Sequence, residues 1–261
     1  MKKAIILMAL AGLFSSCKNE VKKETKTTEE KIEKTEKKVD LEKEGEKARK
    51  KVEEKVVQKT GIRHTPKTTW GDSTPELLDP NKAKDKAPEK YKVKLITTAG
   101  DIVIEVNREW APNGADRFYN MVKIGYFDDI ALFRAVPRFM IQFGIHGNPA
   151  ISKQWAEAKI QDDPAVKGVS NTPGMLTFAT AGPNTRTTQL FINLGNNARL
   201  DSQGFTPFGK IVEGMDAFKK INTEYGENSP GVQGNFQAKG NAFISKRYPN
   251  LDYIKSAELL K

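Results

Sequence analysis

The chain has 261 residues, 38% of them hydrophobic and 29% charged, with a formal net charge of +10. That composition suits one globular domain with extra segments and excludes two large domains or a polytopic membrane protein. A single cysteine, Cys17, rules out an intramolecular disulfide and a cysteine-based zinc site, and two histidines far apart, His64 and His146, argue against a metal centre.

Residues 1–16 read as a signal peptide: Lys2 and Lys3, then an apolar run from Ala4 to Phe14 too short to span a bilayer, then Ser15 and Ser16. Small residues directly before Cys17 resemble a lipobox, so Cys17 is the expected lipidation site and its acyl chains the expected membrane anchor. Phe14 departs from the usual Leu, and an ordinary signal peptide with a chance cysteine is the alternative. Lys18 after the cysteine resembles Gram-negative lipoproteins of the outer membrane, facing the periplasm or the cell surface.

Residues 17–60 form a Lys/Glu-rich spacer that cannot bury enough apolar surface to fold alone, so the tail is expected to be disordered or helical. Ala48, Val52 and Val56 at helical spacing allow a transient or coiled helix. Much of the basic excess sits in the signal peptide and this spacer, and no basic stripe interleaves with aromatics, so nucleic acid is excluded as a partner.

Residues 61–90, with Pro66, Pro75, Pro80 and Pro88, read as an extended segment that packs one or two apolar side chains on the domain spanning 91–261. YKVKLITTAGDIVIEVN predicts two strands around an Ala-Gly turn. Pro112 opens a helix carrying Ala115, Phe118, Tyr119 and Val122 on one face, which Gly125 stops. The runs LFRAVPRFMIQFG, MLTFATAG, QLFINLG and FTPFGKIV predict short strands, GMDAFKKINTEYG a second helix, and LDYIKSAEL a last strand. Residues 148–170, with Trp155 in a short helix, are expected to pack on the sheet. The pattern is mainly β: an antiparallel barrel capped by two helices.

Three segments carry chemistry. FRAVPRFMIQFG, TPGMLTFATAGPNTRTTQLFI and LDSQGFTPFGKIVEGMD resemble, in order and nearly in spacing, the three motifs of the cyclophilins, a family of peptidyl-prolyl cis-trans isomerases. The resemblance implies a closed cyclophilin-like barrel and catalysis of rotation about X–Pro bonds, which assists the folding of cell-envelope proteins. It implies Arg134 and Gln142 as the catalytic pair. Phe139, Met140, Phe191 and Leu200 would line a proline pocket, Gln189 would sit beside it, and Ala179 and Thr180 would present backbone to the peptide. Phe205 stands where many relatives have His and would wall the pocket, while Arg199 replaces a frequent Trp. The expected partners are proline-containing polypeptides, bound by a monomeric catalytic domain with no cofactor. The competing expectation is a cyclophilin-fold chaperone or scaffold that binds such peptides without turnover. Gly182, Pro183 and Asn184 read as a turn, Arg186 as exposed loop and His146 as surface.

Overall fold

The computed structural model describes residues 63–71, 73–228 and 230–261; the signal sequence, Cys17 and the Lys/Glu tract fall outside the described residues. A short helix α1 (Pro75–Leu78) precedes the hairpin of β1 (Lys90–Thr97) and β2 (Gly100–Asn107). Helix α2 (Pro112–Lys123) starts at Pro112, whose missing N–H costs nothing in a first turn, and ends before Gly125 at φ +73°. Strands β3 (Ile130–Ala131), β4 (Arg134–Val136) and β5 (Met140–Phe143) follow, then α3 (Pro149–Ala156). The chain continues through β6 (Met175–Phe178), β7 (Leu190–Asn193), β8 (Pro207–Glu213), α4 (Met215–Lys219), α5 (Gln233–Arg247) and β9 (Tyr253–Leu260).

The nine strands form one antiparallel sheet in the order β3-β9-β1-β2-β8-β6-β7-β5-β4. Its main core takes alternate residues of each strand, among them Val93, Leu95, Ile102, Ile104, Ile141 and Ile192, and closes against Phe118 and Met121 of α2 and Phe218 of α4. The ladder ends at β3 and β4, which the chain links through Leu132 and Phe133 and which do not pair with each other among the described residues. The pairing is therefore that of a half-barrel, and among the described residues five α-helical segments accompany it, where two capping helices and a short one at Trp155 were expected.

Two helical expectations change. The second helix was expected to run through GMDAFKKINTEYG; α4 stops at Lys219. Helix α5 was not expected. With Tyr248 at its C-cap, it buries Phe236 and Ile244 against Phe133, Ile145, Leu251 and Tyr253 in a second core. Gly240 breaks its helical phase at φ +57°, because a Cβ there would lie 2.0 Å from the Gly147 carbonyl oxygen.

The segment before β1 packs Ala83, Ala87 and Leu77 on the main core, as expected, and is also held by polar bonds. Arg63 pairs with fully buried Asp252 at 2.6 Å, and His64 Nε2 meets Asp129 Oδ1 at 2.8 Å. The Lys67 backbone N–H donates to Asp129 at 2.9 Å, and Trp155 Nε1 donates to the Leu77 carbonyl at 2.8 Å. Asp85 and Asn120 exchange reciprocal bonds, and Ala87 donates to Asp116. Trp155 is fully buried, so residues 148–156 do pack on the domain.

His146, expected at the surface, is 1% exposed; Trp70 and Tyr126 sit 4.9 and 5.0 Å from its ring, and its Nδ1 accepts from the Asn148 N–H. Burial pushes its imidazole down to about 3. The unfolded chain therefore takes up a proton near pH 6.5 that the folded chain refuses. Stability is full above that pH and declines as pH falls toward about 3, by up to ~1.4 kcal/mol per pH unit from this group. Urea midpoints measured from pH 7 to 5 should fall in the wild type, and His146→Gln should flatten that slope whatever its effect at pH 7.

Candidate functional site

The parity of the strands builds the site. Register places Arg134 opposite Gln142, Gln142 opposite Phe191, and Phe191 opposite Thr177, one continuous row across β4, β5, β7 and β6. Met140 lies opposite Val136 and Asn193 in the row two residues away, so it shares that face. The intervening residues, Ala135, Ile141 and Ile192, face the main core. The strands are buried on both sides, and the second side is an apolar floor of Met140, Phe191 and Leu200, with Phe139, Ala179 and Phe205 packed on it.

Above that floor lies a cleft of about 320 Å³. The structure brings all ten sequence-predicted residues to its lining: Arg134, Phe139, Met140, Gln142, Ala179, Thr180, Gln189, Phe191, Leu200 and Phe205. Ala181, Thr185, Thr187 and Gln233 join them; the first three fall within the second motif without having been assigned a role there, and Gln233 lies outside all three motifs. Phe205 meets Phe191 edge-on at 5.8 Å.

A chain of hydrogen bonds crosses the cleft wall. Arg134 Nη1 donates to Gln142 Oε1 at 3.0 Å, and Gln142 Nε2 donates to Gln189 Oε1 at 2.8 Å. Gln142 is buried, so its amide needs both partners; losing either would leave a desolvated group worth about 1–3 kcal/mol. The Arg134 guanidinium also lies 5.6 Å over the Phe139 ring, and that of Arg199 5.0 Å over the same ring. On its outer side Arg134 pairs with Glu227, a residue the motifs did not point to.

Behind the floor, buried Asn171, Asn193 and Asn197 knit the loops together. Asn197 Nδ2 donates to the Phe139 carbonyl, and Asn171 Nδ2 to Asp201 and to the Phe205 carbonyl, each at 2.7 Å. Asn193 Nδ2 and Thr177 Oγ1 both donate to Asn171 Oδ1. Burial alone would raise the Asp201 carboxyl, yet hydrogen bonds from Ser170 and Asn171 outweigh it and hold it below the usual range. Isolated asparagines carry no periodic signal, which is why the sequence pattern did not find this network.

The Ala181–Thr185 loop turns through Gly182 at φ +147° and Asn184 at φ +57°, as the Gly-Pro-Asn run predicts. Arg186, expected to be exposed, is instead 3% exposed and paired with Asp162 and Asp163 at 3.0 and 2.9 Å. Its guanidinium joins this loop to residues 161–163 and is not part of the cleft lining. Arg138, at φ +61° on the β4–β5 turn, is an exposed rim residue.

Residues 92–238 match the family described as cyclophilin type peptidyl-prolyl cis-trans isomerase/CLD. The chain belongs to this family. A peptidyl-prolyl cis-trans isomerase of Acinetobacter baylyi is 36% identical over 134 residues, covering 49% of this chain and 70% of that protein. One from Schizosaccharomyces pombe is 35% identical over 134 residues, 49% of this chain and 83% of its own. A cyclophilin crystal structure from Cryptosporidium parvum superposes with a TM-score of 0.50 at 19% identity, over 66% of this chain and 98% of that one, and shares the fold. Peptidyl-prolyl isomerase activity goes with membership of this cyclophilin family.

Asn171→Ala removes a donor to two loop groups and an acceptor for two buried donors. It should lower unfolding free energy by about 1–3 kcal/mol, read as a urea midpoint shift at unchanged slope.

Proposed function

We propose that this cleft accelerates rotation about X–Pro bonds, with Arg134 and Gln142 as the catalytic pair and the Phe139–Met140–Phe191–Leu200–Phe205 floor as the seat of the pyrrolidine ring. The observation that carries it is one cation held at the edge of an apolar floor, with its Gln142 partner buried between them. An X–Pro amide resists rotation by about 18–20 kcal/mol because its nitrogen lone pair is conjugated with the carbonyl. Twisting breaks no bond, so the protein needs no nucleophile; it needs a donor that binds the twisted state better than the planar one. In the twisted amide the lone pair is localised on nitrogen and becomes an acceptor. Arg134, always charged and carrying a rigid fork of donors, can address that nitrogen or the proline's own carbonyl. The apolar floor fixes the ring while the preceding carbonyl turns, and Gln142 and Gln189 orient the fork. Ala179 and Thr180 offer backbone to the bound strand.

The setting we propose is the cell envelope, where the chain assists folding of proline-containing polypeptides from a lipid anchor on Cys17, in the outer membrane. The basic start, short apolar run and small residues before Cys17 support it. No helix among the described residues is long and apolar enough to cross a membrane. Cys17→Ser should abolish fatty-acid incorporation and move the protein from the membrane to the soluble fraction.

A protease-coupled assay on a proline tetrapeptide tests the chemistry. Arg134→Ala should cut kcat/KM by about 10²-fold while peptide affinity changes little. A wild-type rate at background, or an Arg134→Ala variant as fast as wild type, would leave peptide binding without turnover as the function.

A further inference from the structure

Glu227 stands on a single 3-10 turn, Gly226–Asn228, between α4 and α5. Its carboxylate accepts from Arg134 Nε at 3.0 Å and from Arg134 Nη2 at 2.7 Å, a two-pronged pair on one edge of the guanidinium. Gln142 takes one N–H of Nη1 on another. Three of the five guanidinium N–H groups are thereby used, leaving one on each terminal nitrogen for an occupant of the cleft.

The turn is itself held in place. Asn222 donates its backbone N–H to the buried Asp252 carboxylate at 2.6 Å and its side-chain amide to the Asn250 carbonyl at 2.9 Å. The Tyr225 ring stands edge-on to Tyr248 at 5.1 Å, and its hydroxyl accepts from the Asn250 N–H. Gln233, at the start of α5, reaches the cleft lining from the same segment. A second hydrophobic core thus carries a carboxylate to the outer edge of the site.

This placement answers a difficulty. Arg134 lies on β4, an end strand of the sheet with no further strand beside it among the described residues, and without Glu227 its side-chain hydrogen-bond partner among those residues would be Gln142. We infer that Glu227 is a positioning residue for Arg134: it fixes the fork so that the free N–H on each terminal nitrogen meets the twisting amide. The inference rests on the isomerase reading of the cleft. A carboxylate beside the cation also offsets its charge, which works against catalysis. Glu227 is 55% exposed, so water and salt screen that offset at the distance of a bound peptide. The hydrogen-bonded orientation is not screened in the same way, and orientation wins.

The test compares the wild type with Glu227→Ala, Glu227→Gln, Arg134→Ala and the double variant Arg134→Ala/Glu227→Ala on an uncharged proline peptide. Glu227→Ala should lower kcat by about fivefold, the scale of one exposed pair, with KM within about twofold. Glu227→Gln, which keeps one acceptor and the side-chain shape, should recover part of the loss. In the Arg134→Ala background Glu227→Ala should have no further effect. Added salt, which screens the charge offset but not the hydrogen-bonded orientation, should not bring the wild type down to the Glu227→Ala rate. If Arg134→Ala is impaired but Glu227→Ala is as fast as wild type or faster, the inference falls and the isomerase reading stands. A wild type at background overturns both.

Discussion

The site depends on one constraint: a β-strand sends alternate side chains to opposite faces, and here both faces are buried. On one face Ala135, Ile141 and Ile192 complete the main core; on the other, Arg134, Gln142 and Phe191 stand in a row over an apolar floor. A slip of one residue in β4 against β5 would put the guanidinium into the main core and Ala135 into the cleft. The register that stabilises the fold is therefore the one that assembles the site. Hydrophobic burial on the core face specifies where the polar groups of the other face must stand.

This explains why so much of the site was legible beforehand. The segment LFRAVPRFMIQFG carries polar residues two apart from apolar ones in a strand otherwise too hydrophobic to meet water, and Gln189, just before β7, and Phe191 on it repeat the interval. Period-2 alternation puts Gln189 and Phe191 on one face, while the remaining site residues and their roles came from the resemblance to the cyclophilin motifs. The hairpin of β1 and β2 and the start of α2 at Pro112 were readable for related local reasons.

What escaped was held by long-range contacts or broken periodicity. Helix α5 carries Phe236 and Ile244, with Tyr248 at its C-cap, yet Gly240 interrupts the phase that would have displayed them as one face. Glu227 belongs to a one-turn element with no pattern of its own, and it meets Arg134 across 93 positions of sequence. Arg186 and His146 look like surface residues by type. Only the fold supplies the carboxylates of Asp162 and Asp163 that make burial of Arg186 tolerable, and the aromatic cage of Trp70 and Tyr126 that keeps His146 neutral. Sequence shows which residues could pay the desolvation cost only when their partners are near in the chain.

The sheet order has a consequence for how the molecule comes together. Strand β9, residues 253–260, lies between β3 and β1, so hydrogen-bonded continuity from β3 to the rest of the ladder waits on the last-made strand. Asp252, just before it, is also the residue that receives Arg63, Thr98 and the Asn222 turn next to Glu227. During synthesis the earlier strands can collapse around α2, but neither the β3 end of the sheet nor the turn at the outer edge of the cleft has its anchor until that segment emerges. Such pairing across most of the domain is slow to nucleate, because loop closure precedes any reward from the contact. Anchoring of the turn that carries Glu227 is thus tied in time to the β9 segment, so a partly made chain would present its apolar floor before Glu227 is held beside Arg134.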